Sequence, residues 1–126
     1  IDVIVSDHTP EDEEGKRLPF AQAATGAIGI ETLLPLALEM HHNESLDLTK
    51  IIETLTINPA KILKINKGTI KKGSDADICV FDLDKPWAVK GDDLKSKSKN
   101  TAIEGRKLQG KVFMTFLNGD LVFKSK

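Results

Sequence analysis

The chain has 126 residues, 40% of them apolar and 29% charged, with a formal net charge of −1. One cysteine, Cys79, excludes an internal disulfide and points to a reducing, cytoplasmic compartment. A near-neutral charge, no Tyr and only 5% aromatic residues argue against a nucleic-acid partner, and no apolar run reaches the roughly 20 residues of a membrane span.

Val3-Ile4-Val5 opens the chain as a β-branched run, short and apolar throughout, which predicts a strand buried on both faces as in a parallel sheet. No initiator Met, basic segment or cleavage pattern precedes it, so the sequence reads as the middle of a longer protein. Ser6-Asp7-His8-Thr9-Pro10 ends the run, and the charged stretch from Glu11 to Arg17 predicts a solvated loop. Leu33, Leu34, Ala37 and Leu38 share one helical face, and Pro35 requires that helix to start near Ile30 or Glu31. A second helix is expected from Leu48 to Thr56 with Asp47 as N-cap and Ile51, Ile52 and Leu55 inward. A third should run to Leu63 from Asn58-Pro59, a cap followed by Pro at the first helical position.

Beyond Lys67 the pattern turns to β. Lys67 to Gly73 predicts a turn and a short strand, and Ala76 to Asp82 a strand of good β propensity with Cys79 as a small core residue. Residues 84–110 look irregular, and the 85–111 stretch holds eight Lys or Arg against three Asp or Glu, the composition of a solvated connection with Trp87 packed beneath it. Val112 to Leu117, then Asn118-Gly119, then Leu121 to Val122-Phe123 spells a hairpin, since a type I′ turn needs positive φ at both central residues. The change of regime lies near residue 66.

Asp7, directly after the first predicted strand, could ligate a metal, act as a general base, or cap the turn that follows. His41 and His42 are adjacent at a helix C-terminus and point about 100° apart, which suits the helix dipole better than a metal. His8 reads as an orienting residue, and Arg106 as the partner of some local carboxylate.

Several segments together resemble the amidohydrolase superfamily, and within it the dihydroorotases. They are Ser-Asp-His-Thr-Pro at 6–10, Arg-Leu-Pro-Phe at 17–20, Gly-Ala-Ile-Gly-Ile-Glu-Thr at 26–32 and Asn58-Pro59-Ala60. Lys67-Gly68-Thr69-Ile70 with Gly73 to Ile78, Ser98-Lys99-Asn100-Thr101 with Glu104-Gly105, and Asn118-Gly119 continue the match in order. The resemblance implies an α/β fold: the last strand and helices of a TIM barrel over residues 1–66, and part of a small β-sandwich domain over 67–126. A complete barrel needs about 250 residues, so the chain would be the C-terminal part of a larger enzyme.

The resemblance also implies chemistry. Asp7 would ligate a catalytic zinc, take a proton from the attacking water and return it to the departing nitrogen, in the interconversion of N-carbamoyl-L-aspartate and dihydroorotate in pyrimidine biosynthesis. The loop at Thr25 and Gly26 would hold the substrate through its backbone. The other metal ligands, an upstream His-x-His, a Lys and two further His, would lie in the missing N-terminal part of the protein, and the isolated chain is expected to be inactive and poorly stable. Two positions depart from the family. Glu11 stands where a substrate-binding His is usual and would repel a dianionic substrate, and Thr25 stands where an aromatic is usual. Three readings follow: an active dihydroorotase, a non-catalytic homologue that supports aspartate transcarbamoylase, and an allantoinase-like cyclic amidase. A homodimer is a further expected assembly.

Overall fold

A computed structural model describes residues 1–125. Four helices come first: α1 (Glu13–Arg17), α2 (Ile30–His42), α3 (Leu48–Leu55) and α4 (Ile57–Ile62). A three-stranded antiparallel sheet follows, in the order β1 (Ile78–Ala88), β2 (Lys107–Leu117) and β3 (Asp120–Lys124). Among the described residues no helix is long and apolar enough to cross a membrane.

The opening run is not a strand. Val3 to Val5 is irregular, Val5 is 72% exposed, and the segment's backbone contact is Ile4 N–H donating to Thr54 O at 3.2 Å. A strand exists only when a neighbouring strand completes its ladder, and the described residues place none beside it. The charged stretch after it is also no simple loop. Asp12 caps α1 by accepting from Gly15 N–H, with Glu13 and Glu14 in the first turn and Lys16 and Arg17 in the last, as the helix dipole favours.

Helix α2 starts where Pro35 demanded, yet Pro35 falls in its second turn and is buried. Buried Ala37 and Leu38 with half-buried Leu33 and Leu34 form its inner face. Helix α3 buries Ile51 and leaves Ile52 and Leu55 half-buried. Asp47 occupies its N-cap position without a side-chain hydrogen bond. Helix α4 begins one residue before the expected cap, at Ile57, and Asn58 Nδ2 instead donates to Asp2 O at 2.8 Å, tying the helix to the opening segment.

The hairpin forms as read, with Asn118 at φ 51° and Gly119 at φ 90°. The sheet extends well beyond the sequence reading. β1 continues through Ala88 and β2 begins at Lys107, in the stretch expected to be irregular. The register shifts between Asp82 and Pro86, where Asp82 Oδ1 accepts from the amides of Asp84 and Lys85 and absorbs the slack. Pro86 is accommodated because β1 is an edge strand among the described residues. No strand forms between Lys67 and Gly73; Lys67 Nζ bonds Asp75 and Asp77 there instead. Cys79, expected in the core, is exposed. His41 and His42 are half-buried, and His42 Nε2 is buried with no hydrogen-bond partner among the described residues.

The core does not respect the change of regime at residue 66. Ile28, Val89, Leu94 and Leu108 form one buried cluster, with Leu36, Trp87 and Ile103 packed against it. α2 lies directly on β2: a Cβ at Gly110 would sit 2.5 Å from Leu38 Cδ1, and Trp87 Nε1 donates to Gly110 O at 2.9 Å. Arg106 finds its carboxylate on α2, with Nη2 at 3.0 and 2.7 Å from the two Glu39 oxygens.

Candidate functional site

The segment Ser6–Thr9 and the loop Ala24–Gly29 press backbone to backbone. Thr9 N–H donates to Ala27 O at 3.0 Å. Gly26, at φ 129°, comes so close that a Cβ there would lie 2.6 Å from Thr9 O, and one at Gly29 would lie 2.9 Å from Ser6 O. Both glycines are therefore required by packing against this chain's own backbone, whatever ligand they also face.

Asp7 sits at the turn of this arrangement with φ 45°, a left-handed conformation that Asp adopts more readily than most residues with a side chain. Thr9 Oγ1 holds the turn by donating to Asp7 O at 3.1 Å. The Asp7 side chain is exposed and makes no hydrogen bond or ion pair among the described residues. Its carboxylate is thus left without a partner inside this chain, on a turn whose backbone Thr9 holds.

His8 acts on the other side. Its Nδ1 accepts from Gly29 N–H at 3.0 Å and from Ile30 N–H at 3.4 Å, so an imidazole caps the first turn of α2. An accepting Nδ1 carries no proton, which places the ring proton on Nε2. The orienting role expected for His8 has this physical content: it fixes α2 to the Asp7 turn.

A groove of about 690 Å³ opens beside these segments. Asp7, Thr9 and Gly26 are among its lining residues, together with apolar Leu36, Met40 and Ile103. Of the four residues singled out from sequence, Asp7 and Gly26 share this wall. Thr25 is exposed beside Gly26, and Glu11 is half-buried with its backbone oxygen accepting from Ser98 Oγ; neither lines the groove.

Sequence reasoning missed the residues that hold the loop. Lys16 Nζ donates to Ala24 O at 2.7 Å and to Gly26 O at 3.0 Å. Asn100 Nδ2 donates to Gly26 O at 3.1 Å, Asn100 O accepts from Ile28 N–H at 3.2 Å, and Ser98 Oγ bonds Asn100 Oδ1. Lys16 was hidden in a run of charges and Asn100 in a Lys-rich stretch. The signal for Asn100 was its place in the Ser98-Lys99-Asn100-Thr101 segment that carries the resemblance, which gave it no role in holding the loop.

A structural or catalytic zinc takes three or four protein donors. The described residues bring no three His, Cys, Asp or Glu together. His8 spends Nδ1 on the helix, and His41 and His42 stand at the far end of α2, about 18 Å away along an axis rising 1.5 Å per residue. The chain offers a metal one carboxylate, Asp7, and by itself does not fit a metal centre.

The model of the amidohydrolase family matches residues 1–122. A dihydroorotase from Ehrlichia chaffeensis is 43% identical over 126 residues, covering all of this chain and 28% of that protein. A dihydroorotase from Aquifex aeolicus is 43% identical over 124 residues, covering 98% of this chain and 29% of that protein. The D-hydantoinase structure from Bacillus sp. AR9 superposes with a TM-score of 0.89 at 26% identity, over 97% of this chain and 28% of that one. The chain therefore spans less than a third of the length of the relatives it matches, and over nearly its full extent it belongs to the amidohydrolase family.

Proposed function

We propose that this chain is the C-terminal part of a dihydroorotase, with residues 1–66 completing an eight-stranded α/β barrel and residues 67–126 contributing to a small β domain. The whole protein would open the ring of dihydroorotate to N-carbamoyl-L-aspartate and close it again, within pyrimidine biosynthesis. The observation that carries this reading is Asp7, held at φ 45° with an unengaged carboxylate in the wall of the groove.

In the ring-opening direction water adds to the ring amide carbonyl and the C–N bond breaks. Asp7 accepts the proton that the water loses and returns it to the leaving nitrogen, so the carboxylate ends the cycle as it began. The loop at Thr25 and Gly26 faces the substrate with backbone groups. Zinc enters this proposal as a property of the whole protein, with Asp7 as one donor and the remaining ligands outside this chain.

Glu11 favours a second reading, a non-catalytic homologue that assembles with aspartate transcarbamoylase, because an acidic side chain replaces the expected His. The likeness to a D-hydantoinase keeps a third, cyclic-amidase reading in view, with allantoin as its substrate class. Turnover of dihydroorotate, hydantoin and allantoin by the full-length protein separates them. The proposal expects dihydroorotate to be hydrolysed fastest. Preference for either other ring overturns the substrate, and no turnover of any ring overturns the enzyme.

A further inference from the structure

We infer that Lys16 and Asn100 are positioning residues that hold the Ala24–Ala27 loop with its amide groups turned outward to an anionic ligand, an inference that rests on the dihydroorotase reading for its substrate. Three carbonyls of the loop are engaged from within the chain. Ala24 O takes Lys16 Nζ, Gly26 O takes both Lys16 Nζ and Asn100 Nδ2, and Ala27 O takes Thr9 N–H. In a trans peptide the C=O and the following N–H point in opposite directions. Fixing the Ala24 and Gly26 carbonyls inward therefore turns the amides of Thr25 and Ala27 outward, and neither amide has a partner among the described residues.

The arrangement is built rather than incidental. Helix α1 places Lys16, Gly15 O accepts from Ala24 N–H at 3.0 Å, and Asp12 caps that helix. From the other side Asn100 is fixed by Ser98 and by the amide of Ile28. An ammonium on the Gly26 carbonyl polarises that peptide and strengthens the Ala27 N–H as a donor. Lys16 also sets one positive charge beside the loop, which offsets Glu11 where the ligand is a dianionic carbamoyl-aspartate.

The test uses the full-length protein with Lys16→Met, Lys16→Arg and Asn100→Ala. Because the amides bind the ground state, Lys16→Met and Asn100→Ala are expected to raise KM for N-carbamoyl-L-aspartate about tenfold or more while kcat stays within about threefold. Lys16→Arg, which keeps charge and donors, should stay closer to wild type than Lys16→Met. Unchanged KM in both loss variants, or a fall in kcat with KM unchanged, overturns the inference. Amide hydrogen exchange is the second readout: Thr25 to Ala27 should exchange faster in Lys16→Met while α2 and β2 keep wild-type rates. A uniform loosening of the whole fold, or no change in the loop, also overturns it. If the wild-type protein turns over neither dihydroorotate nor carbamoyl-aspartate, the dihydroorotase reading fails on its own, and the exchange result alone decides whether Lys16 holds the loop.

Discussion

At the scale of single residues, the site is a set of backbone constraints around one available carboxylate. Gly26 and Gly29 let two segments meet, Asp7 turns between them at positive φ, and His8 ties the meeting point to α2. His8→Ala removes the acceptor for two first-turn amides and is expected to cost about 1 kcal/mol, the usual worth of an N-cap. His8→Asn, which can still accept, should recover most of that. The denaturant midpoint of the full-length protein measures both; equal losses in the two variants would contradict the capping role. Asp7 was visible in the sequence as a polar residue closing an apolar run. Its φ, and the dependence of the loop on Lys16 and Asn100, were not, because residues 10 and 74 positions apart meet at Gly26 through tertiary folding alone.

At the scale of elements, local signals were read well where the chemistry is local. Asn118-Gly119 set the β2–β3 turn through its two positive φ angles, and α2 starts at Ile30 as expected although Pro35 lies in its second turn. The opening run failed as a strand because strand identity depends on a neighbour. Of the span from 84 to 110, residues 89–106 lie outside the strands as expected, but 84–88 and 107–110 pair as β1 and β2 across a register shift that no periodicity announces. Lys67 shows how the segment before β1 is held instead. Its ammonium bonds Asp75 and Asp77, and Asp77 Oδ1 also accepts from Asn118 N–H at the hairpin turn. Those hydrogen bonds, from Asp75 first and then Asp77, raise the pKa of Lys67 above 10.5, while the bonds from Lys67 and then from the Asn118 amide lower that of Asp77 below 3.8. A depressed acid stabilises the fold above its ordinary value and loses that contribution as pH falls below 3.8. A raised base stabilises below its ordinary value and loses that contribution as pH rises beyond 10.5. Full-length protein melted across pH should thus show this cluster's contribution flat between those limits, with the acid-side fall reduced in Asp77→Asn. An Asp77→Asn profile parallel to wild type throughout would contradict it.

At the scale of the whole molecule, the chain is one packed unit with too much surface. The cluster of Ile28, Val89, Leu94 and Leu108 and the Arg106–Glu39 pair join the helical half to the sheet. Yet the accessible surface is 9148 Å², against about 6,600 Å² for a compact monomer of 13.8 kDa. The excess carries apolar side chains, among them Phe20 at 101% and Ile70 at 89% exposed. Such a surface suits a part that packs against further structure, in keeping with relatives more than three times its length. The isolated chain is accordingly expected to melt without a sharp cooperative transition; a steep two-state transition of the monomer by calorimetry would contradict this. The composition change at residue 66 was legible, whereas the shared core across it was not, since packing partners 60 and more residues apart leave no local mark.

The central claim is that Asp7 moves the proton in cyclic amide hydrolysis. Its most direct test is kcat for dihydroorotate hydrolysis by full-length Asp7→Asn against wild type. The account predicts a fall of about 10²–10⁴-fold with the fold intact by circular dichroism. A kcat equal to wild type would contradict it.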